Sequence, residues 1–465
     1  MSDKPNILLF FTDDQRYDTI AALGNGEIRT PHLDKFTRRG TTFTRAHIPG
    51  GTCGAVCMPS RAMLHTGRTL FHIDREGQDI PAEHTTLGEH LRSCGYNAFG
   101  TGKWHNGRSS FARSFSAGDE IFFGGMFDHW NVPAYRFDPS GKYGARCPYV
   151  HEPWRSNKLD FKQCDHIHAG RHSTELFTET ASRFLRDYGE SEPFFTYVSL
   201  MAPHDPRTMP EKFLKMYNPA DIQLPDNFVP EHGIDTGALK IRDEMLAAFP
   251  RDPDEIKRHI AEYYAMISHL DDGFGRVMAA LEKAGKLENT IVVFAGDNGL
   301  AVGRHGLMGK QNLYDHSVRV PLVFAGPGIP KGERRESLVY LLDIMPTLCD
   351  LADVKTPGSV EGRSLVPCLD NANAGVRDSL YLAYAESIRG VTDGSRKLIE
   401  YACGETQLFD LENDPSEKRN LADAGESGEI LKRMRRETLA LAEEWDDESH
   451  PTGKAFWKQR SDLKQ

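Results

Sequence analysis

Apolar and polar positions follow two regimes along this chain of 465 residues. Short, nearly continuous apolar runs recur at 6–11, 194–200, 291–295 and 320–325, with a shorter one at 96–99. Runs of this kind suit strands buried on both faces of a parallel sheet. Between them lie stretches with helical spacing: 87–94 closed by Gly95, 178–188, 344–351, and a long one over 254–283. In the last, Ile256, Ile260, Ile267, Leu270, Phe274, Val277 and Leu281 share a face, and Gly285 supplies a stop.

Beyond about residue 365 the pattern changes. Short strands are predicted at 381–385, 388–392, 398–401 and 407–411, with Asp393-Gly394 as a hairpin turn, followed by an amphipathic helix over 428–445. Strand–helix alternation followed by a meander predicts an α/β domain over 1–364 and a small α+β subdomain over 365–465. Two stretches rich in Gly, Pro and aromatic or charged residues, 107–172 and 205–250, read as loop-rich insertions in the first domain.

Apolar (39%) and charged (26%) fractions are those of a globular protein, so disorder is not the default. A net charge of -11 without a basic run argues against a nucleic-acid binder. An anionic ligand would therefore need locally placed cations. No apolar run approaches bilayer length, which argues against a membrane span. The run at 7–11 is too short for a secretory signal and lacks a cleavage-site pattern. That predicts a cytoplasmic protein, or a periplasmic or secreted one whose signal has been removed. The eight cysteines are scattered and read mostly as small buried apolar residues. Cys53 and Cys57 lack the Cys/His pair that would complete a zinc pattern.

Against this background Cys57-Met58-Pro59-Ser60-Arg61, running on to Thr66-Gly67, reads as a loop entering a short helix. Ser60 is its expected N-cap and Gly67 its stop. A nucleophile-sized side chain then precedes a helix N-terminus, where orphan N–H groups and the Arg61 guanidinium favour an anion.

Four apolar strands end in polar residues: Asp13-Asp14, Lys103-Trp104-His105, His204-Asp205 and Asp297-Asn298. Ligands of open parallel sheets bind at the carboxyl ends of the strands, so the four endings converge if they share one sheet. Asp13, Asp14, Asp297 and Asn298 offer hard oxygen ligands suited to Ca²⁺ or Mg²⁺. The alternatives are a solvated strand end and, for Asn298-Gly299, a type I′ turn. On an extended segment Lys103 and His105 share one side with Trp104 opposite, a cation and a base facing an oxyanion. A surface lysine and a structural histidine are the alternative. His204 sits in the rigid Pro203–Pro206 stretch. Lys310 lies in a Gly-spaced loop that either delivers a cation or is plain surface. Asp128-His129-Trp130 either lines a pocket or packs.

The stretch from Cys57 to Arg61, with Thr66-Gly67, resembles the Cys-x-Pro-Ser-Arg … Thr-Gly signature of the type I, formylglycine-dependent sulfatases of the alkaline phosphatase superfamily. The resemblance extends in order to Thr12-Asp13-Asp14, Thr101-Gly102-Lys103-Trp104-His105, Pro203-His204, Gly296-Asp297-Asn298-Gly299, Gly309-Lys310 and the closing Leu408-Phe409-Asp410-Leu411-Glu412-Asn413-Asp414-Pro415. One departure is His65, where the family often has Leu.

The resemblance implies an alkaline-phosphatase-like fold: a mixed, mostly parallel sheet flanked by helices. It implies that Cys57 is oxidised to formylglycine by a formylglycine-generating enzyme. One hydroxyl of the hydrated aldehyde attacks sulfur, and deprotonation of the other releases sulfate. Asp13, Asp14, Asp297 and Asn298, with an oxygen of residue 57, would hold a divalent cation, most often Ca²⁺, with Mg²⁺ as the other choice. Arg61 and Lys103 would stabilise the hydroxylate. His105 would be the base for sulfate elimination. His204 and Lys310 would hold sulfate and assist the leaving oxygen. His305 and His129 would contact substrate. The implied activity is hydrolysis of a sulfuric ester, with sulfated carbohydrate as the favoured substrate. The alternatives are a phosphonate or phosphate ester hydrolase, or a binding homologue with Cys57 unmodified.

Overall fold

Seven buried residues, Asn6–Thr12, run down the middle of an eight-stranded sheet. The computed structural model describes residues 4–73, 75–424 and 427–464. On one side of the central strand lie Phe194–Ser199, Asn97–Lys103 and Ala117–Phe122, in that order. On the other lie Thr290–Gly296, Leu322–Ala325, Thr41–Phe43 and Glu333–Arg335. The five strands from Ala117–Phe122 across to Thr290–Gly296 are parallel, and Leu322–Ala325 is antiparallel to both its neighbours.

A parallel sheet needs cover on both faces, and strand alternation supplies two apolar surfaces. Leu8 and Phe10 face a cluster that includes Leu176 and Phe177 of helix Ser173–Asp187 and Ile267 and Phe274 of helix Pro253–Lys283. Ile7, Leu9 and Phe11 face the other cluster, with Met63 and Leu64 of helix Cys57–Thr66 and Leu348 of helix Ile344–Leu351. The expected mixed α/β architecture is thus present, and its register matters for function. Phe11 pairs with Ser199, Thr12 with Gly296, and Ser199 with Gly102, so four strand ends line up along one edge. Gly102 permits this closeness. It has φ 89, and a Cβ there would stand 1.8 Å from the carbonyl oxygen of Ser199.

Toward the C-terminus, Leu380–Tyr384, Ile388–Thr392, Arg396–Tyr401 and Thr406–Asp410 form the expected antiparallel meander. Gly394 turns its hairpin at φ 83, while the Asp393 carboxylate accepts the N–H groups of Ser395 and Arg396. Helix Gly428–Glu444 covers this sheet, with Met434 against Val391, Leu398 and Leu408. The short strand Gly50–Gly51 adds to the meander in parallel beside Leu380–Tyr384, tying it to the segment that leads into Cys57.

The stretch 107–172 is more ordered than a loop-rich insertion. It contains helix Arg108–Ser114, and Ala117–Phe122 is the edge strand of the main sheet. Its sequence, Ala-Gly-Asp-Glu-Ile-Phe, hides the strand because an edge tolerates Gly and charge that a central strand does not. Two ribbons complete the region, Arg146–Val150 with Leu159–Gln163, and Pro133–Ala134 with His166–Ile167. No described helix is long and apolar enough to cross a membrane.

Candidate active site

Helix Cys57–Thr66 starts at the cysteine itself rather than at Ser60, with Val56 as N-cap and no side-chain cap. Ser60 lies inside the helix, and its hydroxyl donates to the carbonyl oxygen of Asp297 at 2.6 Å. That bond pins the nucleophile helix to the end of strand Thr290–Gly296. Pro59 is tolerated because it falls in the first turn, where its missing N–H is not needed. Gly67, at φ 64, ends the helix as expected and donates to the carbonyl oxygen of Met63.

Arg61 is fully buried and touches all four strand ends. Its Nη2 donates to Asp13 Oδ2 at 2.9 Å and its Nε to Asp297 Oδ2 at 2.9 Å. Nη1 donates to Ser199 Oγ at 2.6 Å and to the Lys103 carbonyl oxygen at 3.2 Å. Lys103 forms an ion pair with Asp13. Lys310 Nζ lies 2.5 Å from Asp14 Oδ1 and 3.3 Å from Cys57 Sγ. His204 Nε2 is 3.6 Å from Asp14 Oδ2, and one ligand-type atom each from Asp13, Asp14, Cys57 and His204 lies within 4.8 Å of the others. Asp14 takes φ 60, its N–H donating to Asp297 Oδ1 and its carbonyl oxygen accepting the Tyr263 hydroxyl. The backbone is bent there so that successive carboxylates enter one cluster.

The expected extended geometry at Lys103 and His105 is absent. The strand ends at Lys103, and His105 adopts φ 74. Trp104 is buried against Phe111 and Phe115. The His105 ring instead borders a cavity of about 550 Å³, with Met58, Arg108, Phe123, Phe127, Tyr135 and Gln163 among its walls. A Cβ on Gly125 would come within 2.8 Å of His105 Nε2, so glycine there leaves room for the ring.

His129 and His305 stand apart from this cluster. His129 is fully buried, with Nδ1 paired to Ser173 Oγ at 2.7 Å and Nε2 to the His204 carbonyl oxygen at 2.9 Å. Both ring nitrogens are engaged, so it braces His204 and has no edge left for a ligand. His305 stacks on Tyr314 at 4.0 Å between ring centroids. Its N–H donates to the Asn227 carbonyl oxygen, and its own carbonyl oxygen pairs with His232 Nδ1. Two participants carried no signal in the sequence, Ser199 and Tyr197, which hold Arg61, and a third, Ser60, is expected as a cap but bonds to Asp297 instead.

Charges inside the cluster are strongly coupled to burial. Burial alone would raise the Asp13 carboxyl, but Lys103 and Arg61 overcome it and hold it far below the usual range. Burial and the Asp13 charge push the Asp297 carboxyl up to about 6, against Arg61. Burial and Asp13 push the Cys57 thiol up to about 12, despite Lys103 and Lys310. At neutral pH Cys57 is therefore a thiol, not a thiolate. Burial, then Lys103 and Arg61, drive His105 well below 6.5, so it is a neutral imidazole able to accept a proton.

Asp13 Oδ1 and Asn298 Oδ1 are buried with no hydrogen-bond partner among the described residues. Orphaned buried oxygens are costly unless something outside the chain satisfies them. Both belong to the hard-oxygen set that suits Ca²⁺ or Mg²⁺. Three buried carboxylates, Asp13, Asp14 and Asp297, already face the buried cations Arg61, Lys103 and Lys310. The protein's own charges therefore roughly cancel, and a divalent cation would leave the site positive for an anion.

A parallel-centred α/β sheet with a buried cysteine, oxygen ligands and cations at its carboxyl edge defines a hydrolase of anionic esters. The model of the Sulfatase family matches residues 5–354, and that of the N-sulphoglucosamine sulphohydrolase C-terminal region matches residues 303–444. The chain belongs to the sulfatase family and is a sulfuric ester hydrolase. It is 28% identical to a sulfatase of Formosa agariphila, over 98% of this chain and 90% of that one. It is 29% identical to an arylsulfatase of Clostridium perfringens, over 93% of each. Among solved structures, a protein in complex with its substrate D-glucosamine-2-N,6-O-disulfate superposes with a TM-score of 0.73 at 21% identity, covering 96% of this chain and 99% of that one.

Proposed function

We propose that this chain removes sulfate from a sulfated carbohydrate, using residue 57 after a formylglycine-generating enzyme has oxidised it. Asp13, Asp14, Asp297 and Asn298, with residue 57, would hold a divalent cation, Ca²⁺ before Mg²⁺. The observation that carries this reading is the placement of Cys57 Sγ among Asp13, Asp14, His204 and the Lys310 ammonium. A thiol that burial keeps protonated is a poor nucleophile, which favours a different chemical group at this position.

When bound, the cation would supply Lewis-acid polarisation of a sulfate oxygen and a lowered pKa for a nearby hydroxyl. The protein's residues do the remaining work. Arg61 and Lys103 set a fixed positive field beside residue 57. Lys310 reaches residue 57 directly and donates to an oxygen of the bound ester. His204 is oriented by its Nδ1 contact with the Asp205 carbonyl oxygen at 2.9 Å, which leaves Nε2 facing Asp14 at 3.6 Å, and it would assist the leaving oxygen from there. His105, neutral and in the wall of the cavity, accepts the proton whose loss releases sulfate.

The cavity beside His105 supports carbohydrate as substrate class. Its Phe123, Phe127 and Tyr135 rings suit sugar faces, and Arg108 suits a polar or anionic substituent. The solved neighbour's substrate and the N-sulphoglucosamine sulphohydrolase C-terminal match point the same way. Steady-state assays on defined sulfated monosaccharides, an aryl sulfate and an aryl phosphonate test the proposal. Sulfated sugars should give the highest kcat/KM, and Arg108→Ala should raise KM on them more than on the aryl sulfate. A higher kcat/KM on the phosphonate would overturn it.

A further inference from the structure

A second group of metal-ligand side chains lies at the edge of the main sheet, outside the Cys57 site. Glu120 belongs to edge strand Ala117–Phe122, and His166 and His168 to the segment that pairs with Pro133–Ala134. His166 Nε2 lies 2.8 Å from Glu120 Oε2, and His168 Nε2 lies 2.9 Å from Glu120 Oε1. One ligand atom from each of the three residues lies within 4.8 Å of the others.

Three features set this group apart from an ordinary surface ion pair. Glu120 is buried at 6% exposure, and its ion-pair partners among the described residues are these two imidazoles, with no Lys or Arg. Its backbone sits at φ 51, a left-handed conformation unfavourable to a non-glycine residue, next to a register shift in the strand pairing. His166 and His168 are two apart, so an extended segment sends both to one side and Ile167 to the other. The two Nε2 atoms converge on one carboxylate, with ring planes 71° apart.

We propose that Glu120, His166 and His168 form a zinc site distinct from the oxygen-rich cluster at Cys57. Two imidazoles and one carboxylate match a borderline cation, and they make a poor set for Ca²⁺ or Mg²⁺. Ligands about 2.0–2.1 Å from a tetrahedral zinc stand about 3.3 Å from one another, so the two imidazoles would each draw back from the carboxylate by about half an ångström to admit the ion. His168 is the exposed member of the three, which gives an ion a route in from solvent. The neighbouring Pro133, Tyr135 and Gln163 line the cavity beside His105, so zinc here would brace that wall by joining the ribbon to the sheet edge.

The test is zinc counting by equilibrium dialysis and elemental analysis on the Ca²⁺-loaded protein, comparing wild type with His168→Ala and Glu120→Gln. Wild type should bind one more zinc per chain than either variant. Co²⁺ should give the wild type an intense visible band of tetrahedral nitrogen–oxygen ligation that both variants lack. Circular dichroism checks folding, and His168→Gln replaces His168→Ala if the latter does not fold. Equal zinc counts in wild type and folded variants, or the same Co²⁺ spectrum, would overturn the proposal.

Discussion

Lys310 Nζ lies 3.3 Å from Cys57 Sγ and 2.5 Å from Asp14 Oδ1, so one buried ammonium joins the nucleophile position to the carboxylate cluster. Burial lowers a lysine's pKa, but the Asp14 carboxylate keeps this one well above its ordinary value. Its charge is therefore permanent over any practical pH. Lys310→Ala should lower kcat by about 10²–10³, the cost of removing one preorganised donor to a developing charge. The fold should persist, since Asp14 keeps its contact from Asn298 Nδ2. A kcat within about threefold of wild type in steady-state assays would remove Lys310 from the mechanism.

The orphaned oxygens of Asp13 and Asn298 lead to a metal-removal experiment. Dialysis against a strong chelator should abolish turnover, and Ca²⁺ should restore it. The melting temperature should rise with Ca²⁺, because a ligand at about a hundred times its Kd stabilises by about 2.7 kcal/mol. Asn298→Ala should weaken that stabilisation without changing the far-ultraviolet circular dichroism spectrum. Full turnover after chelation, with no bound metal by elemental analysis, would contradict the assignment.

Arg61 makes its point through stability. It satisfies Asp13, Asp297, Ser199 and the Lys103 carbonyl oxygen at once, and it lies 5.1 Å from the Phe11 ring. Removing one partner from a buried charged network leaves the others uncompensated, at about 3–5 kcal/mol. Arg61→Met should therefore unfold at markedly lower urea, with both activity and midpoint reduced. Arg61→Lys should recover part of the midpoint, because it restores charge without the fork. An unchanged midpoint in Arg61→Met would show that the network does not support the fold.

These results also show which parts of the site could be read from the chain alone. Asp13-Asp14 and Asp297-Asn298 stood out as polar ends of apolar runs, but each alone also fitted a solvated strand end or a turn, and only their shared place at the sheet edge set them apart. Their convergence followed from parallel-sheet logic, and the register of Thr12 with Gly296 supplies it. What stayed hidden depends on contacts across the chain. Ser60 has the chemistry of a cap, but its hydroxyl reaches Asp297 instead, a bond that spacing cannot reveal. The sequence left His129 open between lining a pocket and packing, and the contacts of its nitrogens with Ser173 and His204 lie far from it along the chain. Edge strand Ala117–Phe122 lacks the apolar run of its neighbours because its outer side meets only an isolated bridge from Ile121 to Tyr135 and not a full strand. His105 departs from extended geometry through a single positive φ, for which a non-glycine residue gives no warning.

His65 offers the clearest dependence on pH. It is buried between Trp104 and Tyr197, and neither ring nitrogen has a hydrogen-bond partner among the described residues. Burial, reinforced by Arg61, lowers its pKa from 6.5 to about 3. Above pH 6.5 both folded and unfolded states hold a neutral ring, and His65 adds no pH dependence. Below 6.5 the unfolded chain takes up a proton that the folded chain refuses, so stability falls as pH drops toward 3. Linkage puts the loss between pH 7.5 and 5 at about 2 kcal/mol. His65→Leu keeps an apolar side chain of similar size and removes both the unpaired nitrogens and the titration. It should match or exceed wild type at pH 7.5, and its advantage should grow by about 2 kcal/mol at pH 5, measured by urea unfolding at both values. An advantage that stays constant or shrinks toward pH 5 would mean that the buried ring is already charged in the folded protein.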